Sequence, residues 1–297
     1  MKRYKLAAAC LCLAGCVLAG IGIYKYIEEQ NVGSEYDRIR NAVVRTGAAP
    51  ETEAEEAGAE ETEDSGEDAA KTAAEDTGQE PAETETEDTG QDAAETETED
   101  GEPVEIPIDF EALWEINPEA YAWITIPGTE IDYPILQSET DNTYYLTHSI
   151  EGEESPEGAI FTEDYNSKDF EDPNTVIYGH NMRNGSMFQG LHEYMDRAFF
   201  DENREVLIYL PDKILHYEIF AAYLYDDRHL LESFDFEDED VFEAYLNRIF
   251  SIRDMNSFID TDMEVTAEDK VITLSTCYSN ESNQRYLVQA VLVSIDE

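Results

Sequence analysis

Three side chains at the ends of apolar runs could together carry out nucleophilic acyl chemistry. The first is Cys277, the only cysteine after residue 16, which closes Val271-Ile272-Thr273-Leu274-Ser275-Thr276. A thiolate attacks carbonyls well, but a free cysteine has a pKa of about 8.5 and needs a cationic neighbour to stay ionised. His180 follows Val176-Ile177-Tyr178-Gly179. It could supply that charge and hand a proton to a leaving amine. Arg285 stands before the run Tyr286–Val293. Its guanidinium does not deprotonate, so its use would be to orient a substrate carbonyl or stabilise an oxyanion. Each residue also has an inert reading: a buried cysteine, a core or surface histidine, a rim charge in an acidic protein. His148, His192, His216 and His229 lack a comparable setting.

Strand ends would have to bring these groups together. Short apolar runs separated by turn residues predict strands at Trp123–Ile126, Ile131–Leu136, Ala159–Phe161, Thr175–Tyr178, Val206–Leu210, Leu215–Tyr225, Lys270–Thr276 and Tyr286–Ile295. Eight strands are enough to close a barrel, so the fold class is mainly β with added helices. Pro134 inside the second run predicts an edge or irregular strand. Helices are expected at Phe110–Trp114, Met187–Phe200 and Asp238–Phe250. The last lies between two long strands and reads as an insertion on the barrel.

The chain is otherwise three different materials. Lys2, Arg3 and Lys5 precede an uncharged stretch from Leu6 to Tyr24. That is long enough to cross about 30 Å of hydrocarbon as a helix. Residues 1–27 therefore read as a single-pass anchor with a cytoplasmic N-terminus and the remainder extracellular. A cleaved signal peptide is one competitor. Another is lipidation of Cys16, because Leu13-Ala14-Gly15-Cys16 is similar to a lipoprotein processing site. Residues 28–45 form a juxtamembrane segment. Residues 46–105 are an acidic stalk in which Glu75-Asp76-Thr77-Gly78-Gln79 recurs as Glu87-Asp88-Thr89-Gly90-Gln91. Nothing larger than Ala in the repeat can bury apolar surface, so an extended, self-repelling tether is expected. Its spacing matches no calcium loop. Residues 106–297 form the globular domain. Exported domains normally pair their cysteines, and Cys277 has no partner there.

Net charge is −52, and residues 106–297 alone carry 42 acidic against 10 basic side chains. Such a surface repels phosphate backbones, which argues against nucleic-acid binding. It suits either a basic partner or simple solubility. No phosphate loop and no credible metal cluster is visible, so neither a cofactor nor a metal is expected.

Thr273-Leu274-Ser275-Thr276-Cys277 with a downstream Arg285 and an upstream Tyr178-Gly179-His180 resembles the active site of sortases, cysteine transpeptidases of Gram-positive bacteria. Trp123-Ile124-Thr125-Ile126, Tyr133-Pro134-Ile135-Leu136-Gln137, Asp141-Asn142-Thr143-Tyr144-Tyr145-Leu146, Asn184-Gly185-Ser186-Met187-Phe188 and the helix-bearing insertion at 236–252 resemble class B members. The resemblance covers roughly 108–295. It implies an eight-stranded sortase-type barrel with N-terminal helices, Cys277 as nucleophile, His180 as general acid/base and Arg285 as substrate or oxyanion clamp. Leu136, Ser275 and Thr276 match positions lining the family's substrate groove. The implied partners are surface proteins bearing a C-terminal sorting motif of the Asn-Pro-x-Thr type and an amine of a cell-wall precursor, such as a lipid II cross-bridge. Pilin polymerisation is an alternative outcome.

Two departures stand out. Asp132 replaces the Asn of some class B members, which predicts a more acidic groove. Tyr278-Ser279-Asn280 offers no acid after the cysteine to orient the histidine. Two other classes compete. A papain-like peptidase is disfavoured because its cysteine precedes its histidine, the reverse of the order here. A surface-displayed binding domain would have no need of a lone thiol beside a strand.

Overall fold

The computed structural model describes residues 35–45, 104–278 and 283–297. The expected anchor at 1–27 and the stalk up to residue 103 lie outside the described residues. Among the described residues, no helix is long and apolar enough to cross a membrane.

The strands are β1 (Ala120–Thr125), β2 (Asp132–Leu136), β3 (Ile160–Phe161), β4 (Asn174–Tyr178), β5 (Glu205–Tyr209), β6 (Ile214–Asp226), β7 (Phe258–Ile259), β8 (Val271–Cys277) and β9 (Gln284–Asp296). They pair in the order β5-β1-β2-β3-β4-β8-β9-β6, and β6 returns to β5 to close an eight-stranded barrel. All eight expected strands are present. The two-residue β7, too short for a sequence signal, pairs with Ala221 and Ala222 of β6, beyond the reach of β5.

Pro134 is tolerated by register. Ile126 N–H bonds to Ile131 O, and counting along the β1–β2 ladder puts Trp123–Pro134 at a non-hydrogen-bonded pair. The missing N–H therefore faces the other side, where β3 begins only opposite Ile135.

Two apolar clusters share the barrel wall. The interior holds Ile124, Ile177, Leu274, Tyr286 and Val288. The outer face of β4, β6, β8 and β9 presents Val176, Phe220, Tyr223, Val271, Leu287 and Val291 to the inserted helix α5 (Glu239–Phe250). Burial on both faces explains why these strands read as nearly continuous apolar runs. Helix α5 turns Phe242, Tyr245, Leu246 and Ile249 toward the wall. Asp238 caps it by accepting from the amides of Asp240 and Val241.

The remaining helices are α1 (35–43), α2 (Phe110–Ile116), α3 (Arg197–Glu202) and α4 (Leu230–Ser233). The helix expected over Met187–Phe200 is instead a 3-10 segment, Phe188–Met195, followed by α3. The break is at Asp196, whose backbone is extended and whose carboxylate caps α3 at the amides of Ala198 and Phe199. Helix α1, inside the expected juxtamembrane segment, packs on the barrel through Tyr36, Ile39 and Val43. These sit at helical spacing on one face, and each buried side chain of this kind contributes about 1.5–3 kcal/mol. Tyr36 also donates from its hydroxyl to Gly158 O at 3.2 Å.

Candidate active site

Strand order places the three candidate groups together. β4 runs parallel to β8 with Tyr178 opposite Ser275, and β8 runs antiparallel to β9 with Cys277 opposite Arg285. His180 lies two residues past Tyr178, and Cys277 two past Ser275, so both emerge at the same rim. Alternation puts Tyr178, Ser275 and Cys277 on the outer face, with Arg285 beside Cys277 as its cross-strand partner. His180 and Cys277 are half-buried.

Backbone contacts lock this corner. Gly179 N–H bonds to Ser275 O at 3.1 Å, and Tyr278 N–H to Gln284 O at 3.1 Å. Asn181 donates from Nδ2 to Cys277 O at 3.0 Å, tying the histidine turn to the nucleophile's own carbonyl. Position 179 must be glycine for space, because a Cβ there would meet Ile160 Cδ1 at 2.5 Å and Phe188 Cγ at 2.6 Å.

The imidazole is oriented by a carbonyl. His180 Nε2 lies 2.8 Å from Leu146 O, which can only accept, so Nε2 carries a proton and Nδ1 is left for proton exchange. Leu146 ends the 3-10 turn Tyr144–Leu146 and exposes its own side chain beside the site.

The expected groove residues are placed unequally. Ser275 is on the outer face with Cys277. Leu136 is fully buried, and its pairing with Phe161, which itself pairs with Tyr178, sets it on the same outer face. Thr276 alternates inward opposite Tyr286, is 2% exposed, and its Oγ1 has no hydrogen-bond partner. Thr276 therefore backs the groove from inside the barrel, whereas Leu136 lies on the same face of the wall as Ser275.

The Sortase domain profile matches residues 124–293. The chain belongs to the sortase family. It is 35% identical over 198 residues to sortase B of Listeria monocytogenes, spanning 64% of this chain and 76% of that protein. Against sortase B of Staphylococcus aureus the identity is 30% over 190 residues, spanning 63% and 75%. The crystal structure of Clostridium perfringens sortase B superposes with a TM-score of 0.57 at 32% identity, covering 63% of this chain and all of that one. These relatives place this sortase in class B, as a cysteine transpeptidase acting on surface proteins that bear sorting signals.

Asp132 does not bring free negative charge to this sortase's groove. Its Oδ1 accepts from Trp123 Nε1 at 2.6 Å and Thr125 Oγ1 at 2.8 Å, and its Oδ2 pairs with Arg40 Nε of α1 at 2.6 Å. Sequence reasoning missed Asn181, which follows His180 directly, and the Leu146 carbonyl, which no residue type can signal.

Proposed function

We propose that this sortase cleaves an Asn-Pro-x-Thr-type motif after the Thr and joins the Thr to a cell-wall amine. The Cys277 thiolate attacks the Thr carbonyl carbon, and the negative oxygen that forms is held beside the Arg285 fork. As the C–N bond breaks, His180 gives its Nδ1 proton to the leaving amine, and a thioester remains on Cys277. The acceptor amine then attacks the thioester, loses its proton to His180, and the thiolate departs. Hydrogen bonding from Nε2 to the Leu146 carbonyl suits both protonation states, because Nε2 keeps its proton throughout. The observation carrying the reading is the register that sets Cys277 beside Arg285, one strand from His180. An anchor over residues 1–27 would hold the domain at the outer membrane face, where donor and acceptor meet.

Mass analysis of the intact protein mixed with a motif peptide tests this directly. The expected result is an adduct on Cys277 with the mass of the peptide up to its Thr, released by hydroxylamine. An adduct elsewhere, or none while the peptide is still cleaved, contradicts the mechanism.

A further inference from the structure

Beyond the three catalytic groups, the structure contains a buried acid next to the active-site rim. Glu163 follows β3 and is 9% exposed. His229 Nε2 lies 2.7 Å from its Oε2. The other ring nitrogen, Nδ1, accepts from the Glu232 amide at 3.2 Å, capping α4. An imidazole whose Nδ1 accepts carries its proton on Nε2, so that N–H is directed at the carboxylate. A second contact runs parallel, with the Tyr165 hydroxyl donating to Glu232 Oε1 at 3.1 Å and the Tyr165 ring packing edge-on to His229 at 5.6 Å. The start of the inserted segment is thus fastened to the β3 side of the rim.

Tyr178 lies beside this acid and on the same outer face as the catalytic guanidinium: it stands opposite Ser275, and Arg285 opposite Cys277 two residues on. Its ring stacks on Phe161 at 5.4 Å and leans toward His229 at 6.3 Å. Its hydroxyl is shielded from solvent and stops short of a full hydrogen bond. The Glu163 carboxylate and the Arg285 guanidinium act on that hydroxyl with opposite sign. Tyr178 shares its face with His180, two residues on.

We propose that Glu163, held by His229, is a positioning residue for Arg285, acting through Tyr178 during attack on the sorting peptide. This rests on Arg285 serving the acyl donor, as read above. A guanidinium clamps an oxyanion only from a fixed direction, and a buried negative charge one side chain away biases that direction.

Stability does not account for this acid. Burial pushes the Glu163 carboxyl up, and the His229 contact and the Tyr178 hydroxyl only partly oppose it, while Glu232 on α4 adds to the rise. A raised folded pKa means that the group's contribution to stability is present below the ordinary carboxylate range and is lost as pH rises through the raised value. Ionising the acid therefore works against folding, and a neutral amide in its place carries no such penalty.

The test uses the full chain, a fixed sorting peptide, and Glu163→Gln with and without Arg285→Lys. Glu163→Gln is expected to lower kcat/KM about tenfold while leaving the thermal midpoint equal to or above that of the parent. In the Arg285→Lys background, the same change is expected to add nothing, since the two act as one unit. His229→Gln, whose amide N–H can replace Nε2–H, is expected to retain more activity than His229→Ala. Unchanged kcat/KM in Glu163→Gln, a loss that only follows reduced stability, or full additivity with Arg285→Lys would overturn the proposal. If the parent itself leaves the peptide untouched, the functional reading fails, and positioning is then scored by phenylglyoxal modification of Arg285. A rate altered about threefold or more by Glu163→Gln supports it, and an unaltered rate overturns it.

Discussion

The outer face shared by β4, β8 and β9 is covered by α5 at one end and open at the other. Under the helix, polar side chains bond one another. Gln289 Nε2 donates to Tyr245 Oη at 3.0 Å and Thr273 Oγ1 at 2.7 Å, Tyr223 donates to Gln289 Oε1 at 3.2 Å, and Thr273 donates to Asn174 Oδ1 at 2.8 Å. A few residues along the same strands, Tyr178, Ser275, Cys277 and Arg285 stand at the rim, where backbone bonds fix the strand ends while the side chains of His180 and Cys277 stay half-exposed. One architecture thus supplies a closed polar network that locks an insertion in place, and an open set of similar groups that can meet a substrate. Whether a helix lies above decides which.

Substitutions at the two ends should separate cleanly. Cys277→Ala, at the open end, is expected to reduce transpeptidation about 10⁴-fold or more with the thermal midpoint unchanged, measured by product formation and calorimetry. Arg285→Lys keeps the charge but loses the fork, and kcat/KM is expected to fall about 10²–10³-fold, again without unfolding the protein. At the covered end, Gln289→Leu strips hydrogen bonds from Tyr223, Tyr245 and Thr273. It should cost about 1–3 kcal/mol in denaturant melts and leave kcat/KM per folded molecule within about twofold. Asp238→Ala removes the cap of α5, with an expected loss of about 1 kcal/mol and no kinetic effect. Equal kinetic damage from both ends would erase the distinction.

The barrel was legible because its strands carry their period openly: Val271, Thr273, Ser275 and Cys277 alternate with Ile272, Leu274 and Thr276. That same alternation implies that Thr276 faces inward once Cys277 faces out, a step that matching family positions skips. Helix α1 was less visible. Tyr36, Ile39 and Val43 have helical spacing, but the segment is short and lies between an apolar run and an acidic one. The break at Asp196 went unseen because a mid-segment aspartate can cap a helix or sit on its solvent face, and composition does not choose. Cys277, His180 and Arg285 were readable as chemistry at strand ends. The pairing of Glu163 with His229 was not, since 66 residues separate them and only the insertion's path brings them together.

The central claim is that Cys277, His180 and Arg285 form one transpeptidation site. The most direct measurement incubates the full chain with quenched Asn/Ser/Pro-Pro-x-Thr-x peptides, with and without an amine acceptor, and identifies products by mass. The account predicts cleavage after Thr, an amine-linked product when the acceptor is present, and neither with Cys277→Ala. Cleavage that persists in Cys277→Ala, or a folded parent that processes no peptide of the set, would contradict it.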